Sequence, residues 1–402
     1  MRLSKVNKLK SFSFLILITI VSLKKIVAQA ADSAKGIKFI REDFRTAMTQ
    51  AAEKNKLVFI DAYTTWCGPC KLMDKSVFTD EKVLAFMNEN FVNLKLDMER
   101  GDGQIVAQRY KVSAFPSFLF VNSEGELVHK GIGYQDADKF LGLVSIALNA
   151  NQGLLAWSKK FDNGERSPDF LKNYALQLAD VQDAKRTAIA KLYLKTQLDW
   201  KNNNETLDFI FKFVESPDDT FFTLLSKNKP IFERRVSREA IELKRKNLVE
   251  EQLFDKKNLP TLARADSLLA LVNDDKHKLD STQRNYRMTY YRMKGDRNAY
   301  AQAAVNYFKK YDKNAGELAE TANTFLEQID DKTFLEKALK WAKRATRLEK
   351  ISYHQFLVAE LYNKLKDKSA ALKAANIAIE LGKKAGESTD EVSAFKTRLL
   401  KE

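Results

Sequence analysis

Cysteine is almost absent from this chain: there are two in 402 residues, Cys67 and Cys70, three positions apart. A disulfide framework is excluded, because such a pair closes at most one small loop. The thiols must be a reactive pair or half of a metal site. Histidine is as scarce, and His129, His277 and His354 are scattered, which argues against a histidine metal centre or a Ser-His-Asp machine. With 14 glycines and six prolines there is little room for long flexible tracts. The 45% hydrophobic and 30% charged content is that of an ordinary soluble protein. At roughly 100–200 residues per domain, the length allows two or three domains with sizeable cores.

Long hydrophobic runs are also missing. The best one, Phe12 to Leu23, follows Arg2, Lys5, Lys8 and Lys10 and precedes Ala28-Gln29-Ala30. Its dozen residues are too few for a comfortable membrane span, and the order of basic, apolar and small residues reads as an export leader over 1–30, cleaved after Ala30. Lys24 and Lys25 interrupt that order, so an uncleaved anchor is the alternative. No cysteine lies near the cleavage point, which argues against a lipoprotein anchor. The net charge of +15 is uneven: 6 basic and 0 acidic residues in 1–30, 15 and 16 in 31–150, 47 and 37 in 151–402. The excess beyond 150 is spread over mixed Lys/Glu faces rather than a dense basic block, so no nucleic-acid partner is expected.

From 37 to about 150, apolar runs alternate with amphipathic stretches, the pattern of an α/β unit. Leu57 to Ile60 and Phe91 to Leu96 read as buried strands, Phe115 to Val121 as a third and Leu127 to Lys130 as a fourth. The turn Asn122-Ser123-Glu124-Gly125-Glu126 joins the last two, and a helix from Asp136 to Ala150 closes the set. Beyond Gln152-Gly153 the texture becomes rich in Leu, Ala, Lys and Glu, predicting an all-α region over 151–402. Ala338 to Ala345 realigns on Ala371 to Ala378 with an offset of 33, close to the tetratricopeptide period. Tyr353, Leu357, Leu361 and Tyr362 would then occupy the first helix of the second unit. The repeat is most evident over 314–402. It lacks the glycine and terminal proline of a strong repeat, and plain helical hairpins account for it nearly as well.

Trp66-Cys67-Gly68-Pro69-Cys70-Lys71 follows a strand and opens a helix. The first sulfur then faces unsatisfied N–H groups and the positive end of the helix dipole, which favour thiolate over thiol. Cys67 is thus the attacking sulfur. Pro69 suits an early helical position, where its missing N–H costs little, and Gly68 lets a partner backbone approach. Cys70, one turn on and more enclosed, attacks the mixed disulfide formed at Cys67 and releases the substrate. A zinc site would need a second ligand pair that the neighbourhood lacks. A purely structural disulfide closing so short a loop would remove little unfolded-state entropy.

The segment from Ile37 to Ala150 resembles a thioredoxin domain, and Trp66 to Lys71 is identical to the thioredoxin motif. The resemblance implies a central mixed sheet flanked by helices. It further implies that Asp61, six residues before Cys67, is a buried carboxylate that helps move the proton of Cys70, and that Pro116 is a cis-proline packed against the disulfide. Phe115 before it would touch substrate, together with Trp66, Gly68 and Pro69. From the residues alone, Asp61 could equally be a strand-end polar residue and Pro116 a trans proline opening a strand. Where thioredoxin has a lysine partner for the carboxylate, an ungapped comparison back from Asp97 places Asn93, which predicts an altered proton relay. Ser76 to Val83 and Asp97 to Gly103 are closer to the exported thioredoxin-like domains of bacterial thiol–disulfide interchange proteins.

The expected function is a thiol–disulfide oxidoreductase acting on protein disulfides outside the cytoplasm, in the periplasm, as a reductase in preference to an oxidase. Its partners would be disulfide-bearing proteins and a recycling dithiol protein. No metal, no organic cofactor beyond the Cys67–Cys70 pair, and no membrane span beyond the leader are expected. The competing function is a helical-repeat scaffold whose redox domain is secondary or a sensor, since a solenoid offers a concave partner surface.

Overall fold

The structure is a computed structural model that describes residues 36–311 and 314–401. The expected leader lies outside the described residues. Five strands form one sheet: β1 (Phe39–Arg41), β2 (Leu57–Tyr63), β3 (Phe91–Asp97), β4 (Ser117–Val121) and β5 (Leu127–Ile132), in the order β1-β3-β2-β4-β5. β3 runs parallel to β1 and β2, while β4 is antiparallel to β2 and β5. The sheet is therefore mixed, and its class is the one the resemblance implied. β3 is buried at every position, as a central strand covered on both faces must be. β1 has three residues and gives too short a run to stand out in the sequence. The third strand starts at Ser117 rather than Phe115, since Pro116 has no N–H to give a ladder.

Helices α1 (Phe44–Lys54), α2 (Gly68–Leu72), α3 (Glu81–Asn90), α4 (Gly101–Arg109) and α5 (Ala137–Leu148) cover the sheet. α2 continues directly into one wider π-type turn, Met73–Val77. Strand alternation sorts the core into two layers. Val58, Ile60 and Ala62 pack with Ala47, Ala51, Leu94, Leu96 and Val106 on one face. Phe59 packs with Met73, Phe78, Met87, Phe118 and Phe140 on the other. Asp61 and Tyr63, two and four residues on from Phe59, share the second face, the one covered by α2 and its π-type turn. Asp43 starts α1 by accepting from Thr46 N–H, and Asp136 starts α5 by accepting from Lys139 N–H, each relieving an orphan donor.

After α5 the described chain is helical. α6 (Leu154–Asp162), α7 (Pro168–Asp180) and α8 (Arg186–Thr196) follow, then α9 (Asn204–Lys212). Chain compactness divides at Thr206/Leu207, so α6 to α8 group with the sheet, although the strands end before 150. α6 packs on β5, where Gly153 lets the backbones approach: a Cβ there would sit 2.7 Å from the Val128 carbonyl oxygen.

The second compact unit continues through α10 (Thr220–Lys227), α11 (Lys229–Phe232), α12 (Arg238–Leu253), α13 (Leu262–Ala270), α14 (Lys276–Lys294) and α15 (Arg297–Phe308). It ends with α16 (Ala315–Gln328), α17 (Lys332–Leu348), α18 (Ser352–Lys364), α19 (Lys368–Ala385) and α20 (Asp390–Lys401). α16 with α17 and α18 with α19 are successive hairpins. Ala338, Ala342 and Ala345 of α17 and Ala371, Ala375 and Ala378 of α19 are fully buried, so the 33-residue offset joins equivalent second helices whose small side chains allow close helix approach. No helix among the described residues is long and apolar enough to cross a membrane.

Candidate active site

β2 delivers the chain to the sulfurs. Beyond Tyr63 the backbone turns, Cys67 N–H donating to Thr64 O at 3.2 Å, and Cys67 takes extended dihedrals as the N-cap of α2. Its Sγ accepts the Cys70 N–H at 3.1 Å. Cys67 Sγ thus occupies the place of a capping oxygen, where the orphan donors of a helix terminus are concentrated. Pro69 lies in the first turn of α2 and forfeits no helical hydrogen bond there. Cys67 and Cys70 are joined in a disulfide with their Cα atoms 5.4 Å apart. Both are 3% exposed, so the greater enclosure expected of Cys70 is not seen in the oxidised pair. A Cβ built on Gly68 meets nothing within 4 Å. The flank between the cysteines is open space.

Trp66, the chain neighbour of Cys67, meets a second aromatic ring. Trp66 is 65% exposed, its ring standing edge-on to Phe115 with centroids 5.9 Å apart and planes at 85°. The Phe115–Pro116 peptide is cis, and the Pro116 carbonyl accepts Gly133 N–H at 2.8 Å. Phe115 is thus brought against Trp66, which precedes Cys67, Gly68, Pro69 and Cys70 in the chain, and Pro116 follows Phe115.

Asp61 is 1% exposed. The expectation that Asn93 stands in for its lysine partner is overturned. Asp61 pairs across the parallel ladder with Lys95, whose Nζ donates to Oδ2 at 2.6 Å. Counting back from Asp97 passes the partner by two residues, to the same strand face, because the pairing is fixed by register between strands and not by a fixed offset along one. Asn93 instead directs its amide to Met87 O at 3.3 Å. Lys95 also contacts Asp74 of the π-type turn. Burial pushes the Asp61 carboxyl above its ordinary pKa, and the Lys95 ammonium partly opposes that. Lys95 itself is raised: burial disfavours its charge, but the two carboxylates outweigh it. Asp61 Oδ1 has no hydrogen-bond partner among the described residues, which leaves a buried acceptor able to take a proton.

Lys95 and Asp74 escaped the reading of the sequence, and so did Glu99, whose Oε1 accepts the Trp66 indole N–H at 3.0 Å. A signal existed for Lys95: a lysine in the middle of Phe91-Val92-Asn93-Leu94-Lys95-Leu96 must either reach solvent or find a buried anion. Among the described residues no group of three or more His, Cys, Asp or Glu is placed to hold a metal ion.

A strand-to-helix dithiol beside a buried carboxylate, on a mixed sheet covered by helices, defines a redox-active α/β protein. Comparison with known proteins carries this to a family. The family described as Thioredoxin-like matches residues 40–123. Thioredoxin H-type from Oryza sativa subsp. indica is 35% identical over 98 residues, 24% of this chain and 75% of that protein. The thiol:disulfide interchange protein DsbD of Pseudomonas fluorescens is 31% identical over 102 residues, 25% of this chain but 18% of that protein's length. A solution structure from Bacteroides thetaiotaomicron, named as a candidate disulphide-isomerase, is 44% identical and covers 29% of this chain and 97% of that one, with a TM-score of 0.28. Through its α/β domain the chain belongs to the thioredoxin-like family of thiol–disulfide oxidoreductases.

Proposed function

We propose that the protein reduces disulfides in other proteins, outside the cytoplasm. The observation that carries this reading is the Cys67–Cys70 disulfide at the start of α2, with Cys67 Sγ capping the helix through Cys70 N–H. In the reduced form that hydrogen bond and the helix dipole stabilise a Cys67 thiolate. The thiolate attacks one sulfur of a substrate disulfide, forming a mixed disulfide and expelling the other sulfur as thiolate. Cys70, deprotonated with Asp61 as the acceptor, then attacks Cys67 Sγ. The Cys67–Cys70 disulfide forms and the substrate leaves as a dithiol. A second dithiol protein returns two electrons to the pair. The name of the Pseudomonas relative, a thiol:disulfide interchange protein, supports such a relay. The Gly68-Pro69 spacer supports the reducing direction, and the basic and then apolar order of residues 2–23 supports export.

Insulin reduction driven by dithiothreitol tests the activity: wild type accelerates it, and Cys67→Ser abolishes the acceleration. Equal rates for the two would refute the enzymatic reading. Cys70→Ser should retain substrates as mixed disulfides through Cys67, recoverable from the exported fraction. Rapid acid quenching of cells decides direction, a mostly dithiol pair meaning reductase and a mostly disulfide pair meaning oxidase.

A further inference from the structure

We propose that Glu99 is a positioning residue for substrate recognition, holding the Trp66 indole against Phe115 as an aromatic wall beside the disulfide that favours polypeptide disulfides over small ones. This rests on the reading of Cys67–Cys70 as the working pair. Trp66 is the residue before Cys67, and Phe115 is the residue before Pro116, so the contact of their rings joins the segment that carries the sulfurs to the one that carries the cis peptide. An indole left 65% exposed is not oriented by burial. Two contacts orient it: the edge-on packing against Phe115 and the Nε1–H bond to Glu99 Oε1 at 3.0 Å. The indole nitrogen can only donate, and an ionised carboxylate is the strongest side-chain acceptor it can meet.

Glu99 is itself fixed. Its N–H donates to Asp97 Oδ1 at 3.1 Å, and its carbonyl accepts from Gln104 Nε2 at 2.9 Å. Asp97 is buried at the end of β3, and its own N–H is bound by Glu42 at 3.1 Å. Met98 N–H donates to Tyr63 O at 2.9 Å, tying the same segment to the end of β2, the strand that leads to Cys67. The chain thus runs from the sheet through Glu99 to the ring bordering the sulfurs, with no long flexible step except the Glu99 side chain. A wall oriented before substrate arrives spares the ordering of Trp66 on binding. That benefit falls on a substrate with side chains to lay against two rings. It does not fall on a disulfide that carries none.

The test uses the pre-reduced full-length protein in single-turnover reduction of insulin and of bis(2-hydroxyethyl) disulfide, comparing Glu99→Ala, Glu99→Gln and wild type. Glu99→Ala should raise the half-saturating insulin concentration about fivefold, the equivalent of one net hydrogen bond, with the limiting rate kept. The loss for insulin should exceed that for the small disulfide by the same factor. The Trp66 indole N–H resonance, assigned by its disappearance in Trp66→Phe, should move in Glu99→Ala. Glu99→Gln, which keeps an acceptor oxygen, should restore both readouts. An active wild type with Glu99→Ala unchanged, or slowed equally on both disulfides, overturns this inference alone. A wild type that reduces neither disulfide overturns the redox reading and this one with it.

Discussion

In the sheet, the buried polar side chains include Asp61, Asn93, Lys95, Asp97, His129 and Lys130; from Leu207 onward they are Asp219, Arg245, Thr321, Ser352, His354 and Gln355. Several of the second group serve backbone. Asp219 accepts Phe221 N–H as the cap of α10, Ser352 Oγ donates to Ala378 O, His354 Nδ1 meets Glu349 O, and Arg245 reaches Leu271 O. Asp219, His354 and Arg245 thereby meet a need that any buried helix end creates, while Ser352 bonds a carbonyl inside α19. Asp61 and Lys95 answer no such need. They meet side chain to side chain in mid-strand, where a well-packed apolar pair would hold the sheet at least as well. That pair lies on the face covered by the dithiol helix, whereas the helical unit's own buried charge, Arg245, divides its bonds between Glu242, Ser226 and the Leu271 carbonyl at the end of α13.

The comparison breaks most readily at Lys95. Lys95→Met leaves Asp61 buried without a counterion and should destabilise the sheet domain by about 3–5 kcal/mol, read as a lowered urea midpoint; adding Asp61→Asn should recover most of that. Removing Lys246, whose exposed pair with Glu250 on α12 is 3.6 Å long, should change stability by no more than about 0.5 kcal/mol. A loss at Lys246 as large as that at Lys95 would erase the distinction.

His129 tests the sheet core through pH. Burial against Phe120 lowers its pKa from 6.5 to about 4. Above pH 6.5 the ring is neutral whether the chain is folded or unfolded, and it contributes no pH dependence. As pH falls from 6.5 towards 4 the unfolded chain binds a proton that the folded one refuses. Stability should therefore decline across that window, by about 3 kcal/mol in all. Urea titrations at pH 7 and 5.5 should diverge for wild type and converge for His129→Leu.

In the helical unit the sensitive feature is volume rather than charge. Ala375→Leu forces three more heavy atoms into a fully buried helix contact and should cost about 1–3 kcal/mol. Hydrogen exchange should rise in peptides of α18 and α19, with insulin reduction unaffected. Asp367→Ala removes the acceptor for Ala370 N–H at the start of α19, and should cost about 1 kcal/mol, seen as faster exchange in the first turn of α19.

Much of this could be read before the structure. Leu57 to Ile60 and Phe91 to Leu96 are apolar enough to announce central strands, and the 33-residue recurrence of alanines marks the second helices of two hairpins. Cys67 and Cys70 were legible because nothing else in the chain competes for a reactive role. Other features depend on information between strands. The Asp61–Lys95 pair is a register, the contact of Lys95 with Asp74 depends on how α2 continues into the π-type turn, and the Trp66–Glu99 bond closes across 33 residues. None of the three leaves a periodic trace. The division at Thr206/Leu207 was equally hidden, because α6 to α8 look like any other helices until their packing partners are known.

Lys95 carries one positive charge and stands between two anions, Asp61 in the core and Asp74, whose side chain is 46% exposed. One cation shared by two carboxylates cannot fully neutralise either. A single ammonium thus joins a carboxylate at the surface to one sealed from solvent.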